Sequence, residues 1–334
     1  MAKTSIRTTL RPGEILGNRY RVVRLLGSGK FANVYLAQDQ QTKEPVTIKI
    51  LGKKAARNET SRLFFKRECL LLHDLCHPNI VRYLHQGYET GTLFLVMEFF
   101  DGHPLSEWLA EKKVSLTAFN EVMRQVFEAV IYLHAQGKVH LDLTPNNILV
   151  RETLTSKRTI YDVRIIDFGI ADTIGASRLR SSGVQGFAAP EQRANHAPSA
   201  TMDQFSLGVL LYIACTGYLP EFEIRQLAHA DESFEAVPRP RQLAPWVSPE
   251  MSQVVSRAIA LEPEERYTSI EALFAAWRAA APAGTSPPEA QTLPRFDPEI
   301  QRTPLFFRSP RIRRLGRWLA ALFFLVMIVA LVHR

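Results

Sequence analysis

Asp142, Asn147 and Asp167 are the residues of this sequence best suited to chemistry. They lie in two short motifs, His140-Leu141-Asp142-Leu143-Thr144-Pro145-Asn146-Asn147 and Asp167-Phe168-Gly169. Asp142 offers a carboxylate that can accept a proton from a hydroxyl. Asn147 and Asp167 offer hard oxygen donors of the kind Mg²⁺ prefers. Phosphoryl transfer asks little more of a protein than positioned phosphates, neutralised charge and an in-line hydroxyl. A single Asp or Asn is usually a turn residue. The weight here comes from three of them at set spacing, downstream of Lys49 and Glu68.

Two upstream segments could hold the phosphates. Gly27-Ser28-Gly29-Lys30-Phe31-Ala32-Asn33-Val34 follows one strand candidate and precedes another. Glycines in such a turn let the backbone approach phosphate oxygens closely. Taken alone, the run is as easily an ordinary hairpin. It is not a Walker A loop, because Arg24 stands where the first glycine belongs and Phe31 where Ser or Thr belongs. Val46-Thr47-Ile48-Lys49 reads as a strand that ends on a lysine.

The elements that must position these groups fall into two sets. Residues 20–100 read as a small β-rich lobe, with strands at 20–26, 34–37, 46–51 and 93–99 and a helix over 62–75 that carries Glu68. Residues 101–280 read as mainly helical. Phe119, Val122, Met123, Val126, Phe127, Val130 and Ile131 recur at helical spacing, so they form one buried face. Gly137 stands where a helix would end. Residues 205–216 are apolar on nearly every face, which suits a helix in the lobe centre, and 270–280 is the last amphipathic segment. The fold class expected is α+β and bilobal. Residues 1–19 are expected as an N-terminal extension, and Met1 to Arg11 have no apolar stretch, so no secretory signal is expected.

Together these motifs resemble the eukaryotic-type, Hanks-class serine/threonine protein kinases in their bacterial form. The resemblance runs from about Tyr20 to Ala279. It implies ATP and Mg²⁺ as cofactors and serine or threonine of proteins as acceptor. It makes Asp142 the catalytic base and Asn147 and Asp167 the metal ligands. It pairs Lys49 with Glu68 and sets Lys49 on the phosphates. Leu26, Gly27, Ser28, Gly29 and Val34 would cover the nucleotide, with Thr47 also over the ring. Backbone groups of Glu98 and Phe100, in Met97-Glu98-Phe99-Phe100, would bond adenine, with Met97 guarding the deeper pocket. Ala189-Pro190-Glu191 matches the end of the activation segment, Arg266 the arginine that pairs with that glutamate, and Asp203 the aspartate that fixes the catalytic loop. His140 is expected to be structural.

The sequence departs from the family pattern at four places. Ala32 replaces the third glycine of the phosphate loop. Leu141 replaces the arginine that grips a phosphate on the activation loop, although Ser177, Ser181 and Ser182, with Arg178 and Arg180, still look modifiable. Thr144 and Val184 replace the lysine and threonine that meet near the acceptor hydroxyl. Loss of a cation there would cost about 10²–10³ in rate by analogy with other electrostatic donors. An active kinase, a pseudokinase scaffold that binds ATP without transfer, and a small-molecule phosphotransferase of related fold all stay open at this point.

Net charge is +8, but the eight arginines from Arg295 onward (295, 302, 308, 311, 313, 314, 317, 334) against Asp297 and Glu299 hold +6 of it. The basic balance therefore belongs to the tail, and no aromatic-lined basic groove suggests nucleic acid. Cys69, Cys76 and Cys215 form no disulfide framework, as in a reducing compartment. Residues 281–314, with seven prolines, read as a mobile linker. Residues 318–332 are uninterrupted apolar sequence. As a helix they span roughly 22 Å, and starting at Leu315 with Arg317 snorkelling gives about 27 Å, enough for a thinned bilayer. A single transmembrane tail over 315–334 is expected, with the kinase domain on the cytoplasmic side by the positive-inside tendency, at a bacterial inner membrane. Such an anchor would favour transient self-association for trans-phosphorylation.

Overall fold

The structure, a computed structural model, describes residues 8–29, 31–89, 91–111, 113–176, 183–184, 186–220, 237–281 and 292–296. Ser177, Arg178, Arg180, Ser181, Ser182 and the apolar run at 318–332 lie outside the described residues. Among the described residues no helix is long and apolar enough to cross a membrane.

The first lobe is an antiparallel sheet with one helix. Strands β1 (Ile15–Leu16), β2 (Tyr20–Ser28), β3 (Ala32–Asp39), β4 (Pro45–Leu51), β5 (Tyr83–Glu89) and β6 (Thr92–Glu98) form it in the order β1-β2-β3-β4-β6-β5. Alternation sorts its faces: Val22, Tyr35, Ala37, Val46, Ile48, Ile50, Phe94 and Val96 share one apolar cluster with Leu10 and Leu16. Leu10 and Leu16, from the stretch expected as an N-terminal extension, are thus built into this lobe. Helix α1 (Glu59–Asp74) starts at Asn58, whose side chain accepts from the Ser61 N–H, a favourable N-cap. It buries Phe65, Glu68, Cys69 and Leu72.

The second lobe begins with β7 (His103–Pro104), α2 (Leu105–Glu111), α3 (Leu116–Ala135) and β8 (Lys138–Val139). The Ser115 side chain caps α3 by accepting from the Ala118 N–H. Gly137, at φ +67°, ends it where only glycine is unstrained. A hairpin of β9 (Ile148–Leu154) and β10 (Thr159–Ile165) follows, then β11 (Asp172–Thr173) and the short α4 (Pro190–Arg193). Helix α5 (Ala200–Thr216) is buried along nearly its whole length. Around it lie α6 (Pro240–Leu243), α7 (Pro249–Ala258) and α8 (Ile270–Ala280). Gly208 of α5 lets α7 come close: a Cβ there would stand 2.8 Å from Ala258 Cβ.

One stretch corrects the linker reading. Residues 292–296 lie against the second lobe, with Leu293 N–H donating to Val114 O at 2.7 Å and Phe296 N–H to Leu109 O at 3.3 Å. Leu293 and Phe296 are buried among the core residues. Gly217, at φ +75°, makes room for them, since a Cβ would meet Pro294 Cβ and Arg295 O at 3.1 Å. The domain core therefore extends to Phe296. Phe296→Ala should lower the free energy of unfolding by about 3 kcal/mol, the low end for a buried phenylalanine. Urea denaturation reads this directly; a change within about 0.5 kcal/mol, as at ordinary surface sites, would remove the segment from the core.

Candidate active site

The site is assembled between the lobes from a buried row of charges. Lys49, on β4, donates to Glu68 Oε1 of α1 at 2.6 Å and to Asp167 Oδ1 at 2.7 Å. Lys49 and Glu68 are buried, while the Asp167 side chain is 46% exposed, so the row opens to solvent at its Asp167 end. Burial opposes the Lys49 charge, but the nearby Asp167 and Glu68 carboxylates outweigh it and raise its pKa. The ammonium is thus held protonated. Lys49 in turn holds the Asp167 carboxyl below its usual range. Burial pushes Glu68 upward. Asp167 sits at φ +63°, with Gly169 N–H on its Oδ1 at 3.2 Å. A Cβ at Gly169 would come within 3.1 Å of that oxygen, so the glycine keeps the turn tight.

Asp142 and Asn147 form the second part. Asn147 Nδ2 donates to Asp142 Oδ2 and to Asp142 O, both at 2.9 Å. Asp142 Oδ1 is buried and makes no hydrogen bond of good geometry among the described residues, although the Val184 backbone favours the charged carboxylate. Burial pushes the Asp142 carboxyl above the usual carboxylate range, and the Asp167 charge works in the same direction. The two motifs are also joined by backbone: Ile166 N–H donates to Asn147 O at 2.8 Å.

The loop that carries Asp142 is shaped from below by α5. Asp203, fully buried, accepts from His140 N–H at 2.8 Å and Leu141 N–H at 2.7 Å, and shares a 2.9 Å bond with His134 Nε2. Burial opposes its charge, yet these donors hold its pKa down. They also hold Leu141 at φ +67°, a conformation costly for a branched side chain. Gln192 Nε2 donates to Leu141 O at 2.7 Å. His140 packs on Phe168, ring centres 4.6 Å apart. Arg266 meets Glu191 through two bonds of 2.7 and 2.9 Å, a bidentate pair inside the core. His134 and Gln192 are support residues that motif reading missed, because their partners lie 69 and 51 positions away.

The phosphate loop and hinge candidates complete the cleft. Gly27 pairs with Val34 and Ser28 with Asn33 across the β2–β3 hairpin. A Cβ on Gly27 would meet nothing within 4 Å, so packing within the protein does not demand glycine there. The glycine stands at a register shift in β2 and leaves open space in which a ligand could approach the backbone. Val34 faces Lys49 in register, and Leu26 on β2 is 36% exposed, so its apolar surface is open to solvent. At the hinge, Glu98 Oε1 accepts from Arg164 Nε at 2.9 Å. The Arg151 and Arg164 guanidiniums lie over the Phe100 ring, 4.8 and 4.9 Å from its centre.

The donor set fits a metal held jointly with phosphate. Among the described residues there is no group of three or more His, Cys, Asp or Glu that would hold a metal unaided. Mg²⁺ commonly binds through one or two carboxylates plus substrate phosphates, so solvent-open Asp167 with the Asn147 amide is sufficient.

Residues 20–278 match the family model described as protein kinase domain. The chain belongs to the protein kinase family. The kinase domain is 32% identical over 274 residues to CBL-interacting protein kinase 19 of Oryza sativa subsp. japonica, covering 80% of this chain and 52% of that one. It is 29% identical to the probable serine/threonine-protein kinase PknB of Lactococcus lactis, covering 78% of this chain and 42% of the relative. The chain thus spans about half the length of the curated relatives it matches. The solved Mycobacterium tuberculosis PknI kinase domain superposes with a TM-score of 0.63 at 25% identity, covering 81% of this chain and 100% of that chain.

The Asp142 carboxyl should titrate above its ordinary value of 3.8. Asp167→Asn removes a negative neighbour and should move that titration downward. Carboxyl NMR on both proteins checks the sign; an unchanged or raised Asp142 pKa in the variant would contradict the geometry.

Proposed function

We propose that this chain is a Mg²⁺-dependent serine/threonine protein kinase. The observation that carries the reading is Lys49 bonded at once to Glu68 and Asp167, beside an Asp142 carboxylate that Asn147 holds in place. In the reaction the acceptor oxygen bonds to the terminal phosphorus of ATP as the bridging P–O bond breaks and ADP leaves. The Asp142 carboxylate orients that hydroxyl and takes its proton; Asn147 holds its Oδ2 still. Lys49, fixed by Glu68, steadies the phosphates. Asn147 and Asp167 would hold Mg²⁺, which neutralises charge on the phosphates. The phosphate loop from Gly27 covers them, and backbone at Glu98 and Phe100 receives adenine. The full charged set argues for transfer rather than binding alone, because a scaffold has no chemical need of it.

The departures shape how the kinase would be controlled. Leu141 is buried in the core, and its carbonyl is bonded to Gln192. Gly183 lies so close that a Cβ would stand 2.6 Å from Gln192 Nε2 and 2.9 Å from Leu141 O. The end of the activation segment is docked by neutral contacts where the family pattern has a cation for phosphate. Thr144 is buried and Val184 half exposed, so neither restores a charge at the acceptor. Membrane attachment through 315–334 belongs to the same reading, supported by the apolar run and the arginines before it.

Purified protein given labelled ATP, Mg²⁺ and a generic protein acceptor should transfer label to Ser or Thr. Asp142→Asn should lose about 10²–10⁴ of that rate, and Lys49→Met about 10²–10³. Equal rates in either variant would falsify the assignment. Phosphatase treatment should leave the rate within about twofold, since no arginine at position 141 awaits a loop phosphate. Abolished transfer that returns only on rephosphorylation would show a different control.

A further inference from the structure

The phosphate-loop hairpin has a backing that no motif announces. Strands β1 and β2 pair with Ile15 opposite Arg21 and Leu16 opposite Tyr20. The ladder continues backward, with Gly13 N–H donating to Val22 O and Val22 N–H to Glu14 O, both at 2.8 Å. Chain upstream of Gly13 therefore runs toward the loop end of the hairpin. It arrives there: Leu10 N–H donates to the Tyr35 hydroxyl at 3.2 Å, and Thr8 O accepts from Asn33 Nδ2 at 2.9 Å. Leu10 is buried in the cluster of the first lobe.

Asn33 is the joint. Its Oδ1 accepts from Ser28 Oγ at 2.7 Å, so one side chain ties both arms of the hairpin to each other and to Thr8. Asn33 and Tyr35 alternate with Val34 and Leu36, so they share the sheet face opposite to Val34. The strap thus lies behind the loop. Beyond the tip, Gly29 N–H to Ala32 O at 2.9 Å and Gly52 N–H to Phe31 O at 2.8 Å are the backbone bonds that hold this turn.

We infer that residues 8–14 form a strap that fixes the phosphate loop from its outer face, with Asn33 the positioning residue that couples strap to loop. The inference rests on the kinase reading given above. Residues 8–14 precede the segment that matches the family model. The strap touches no reacting atom. It acts by reducing the number of conformations the glycine-rich turn must give up when Mg-ATP binds.

The test uses the full chain, a variant lacking residues 2–8, Asn33→Ala, and the two changes combined. Calorimetry with Mg-ATP should show Kd rising about three- to tenfold in each single variant, on the scale of one net hydrogen bond. The ATP KM should rise in parallel while kcat stays within about twofold, because positioning in the ground state is what is lost. The combined variant should be no weaker than Asn33→Ala alone, since that change already removes the link to Thr8. Hydrogen exchange at Gly29 N–H should quicken in all three. Unchanged Kd in either single variant, or additive losses in the combination, would overturn the strap while leaving the kinase assignment intact. Failure of the unaltered protein to take up Mg-ATP would remove both.

Discussion

Everything at the site hangs from the buried carboxylate of Asp203. It takes two backbone N–H groups of the loop carrying Asp142 and the imidazole of His134. Those donors make a positive-φ Leu141 tolerable, which turns the chain so that Asp142 and Asn147 meet. The carboxylate can be buried because α5, the most enclosed helix of the lobe, supplies it from its first turn, close to the helix N-terminus where negative charge is favoured. Catalytic geometry is thereby referred to the rigid centre of the second lobe rather than to the surface loops beside it.

The second constraint joins the lobes electrostatically. An ammonium out of water is costly, and Lys49 is tolerable only between two carboxylates. One carboxylate comes from α1 of the first lobe and the other from the loop after β10 of the second. The row therefore reports whether helix, sheet and metal loop are in register at once. Glu191 with Arg266 does a comparable task deeper down, where removing one partner of such a pair costs about 3–5 kcal/mol. These pairs contribute less to net stability than to the uniqueness of the arrangement.

Much of this was legible in the sequence, and the limits have physical causes. The charged residues announced themselves through local spacing, as did the ends of α8 and the apolar face of α3. The β9–β10 hairpin escaped because the outer residues of β9 are exposed and carry no alternation. Prolines around 292–296 suggested free chain, but Leu293 and Phe296 needed only a short extended contact to be buried. Asn33, His134, Gln192, Arg151 and Arg164 act through partners distant in sequence, and a single chain without its fold gives no sign of such pairings. The tail at 315–334 remains an inference from apolarity and charge.

The aromatic ring of Phe100 meets two guanidiniums of the β9–β10 hairpin, which ties the crossing between lobes to the second lobe. Opening the cleft widely means peeling cations off a ring as well as parting Glu98 from Arg164. Any parting of the two halves at this point is therefore coupled to the state of a few side chains, not to the backbone of the crossing alone.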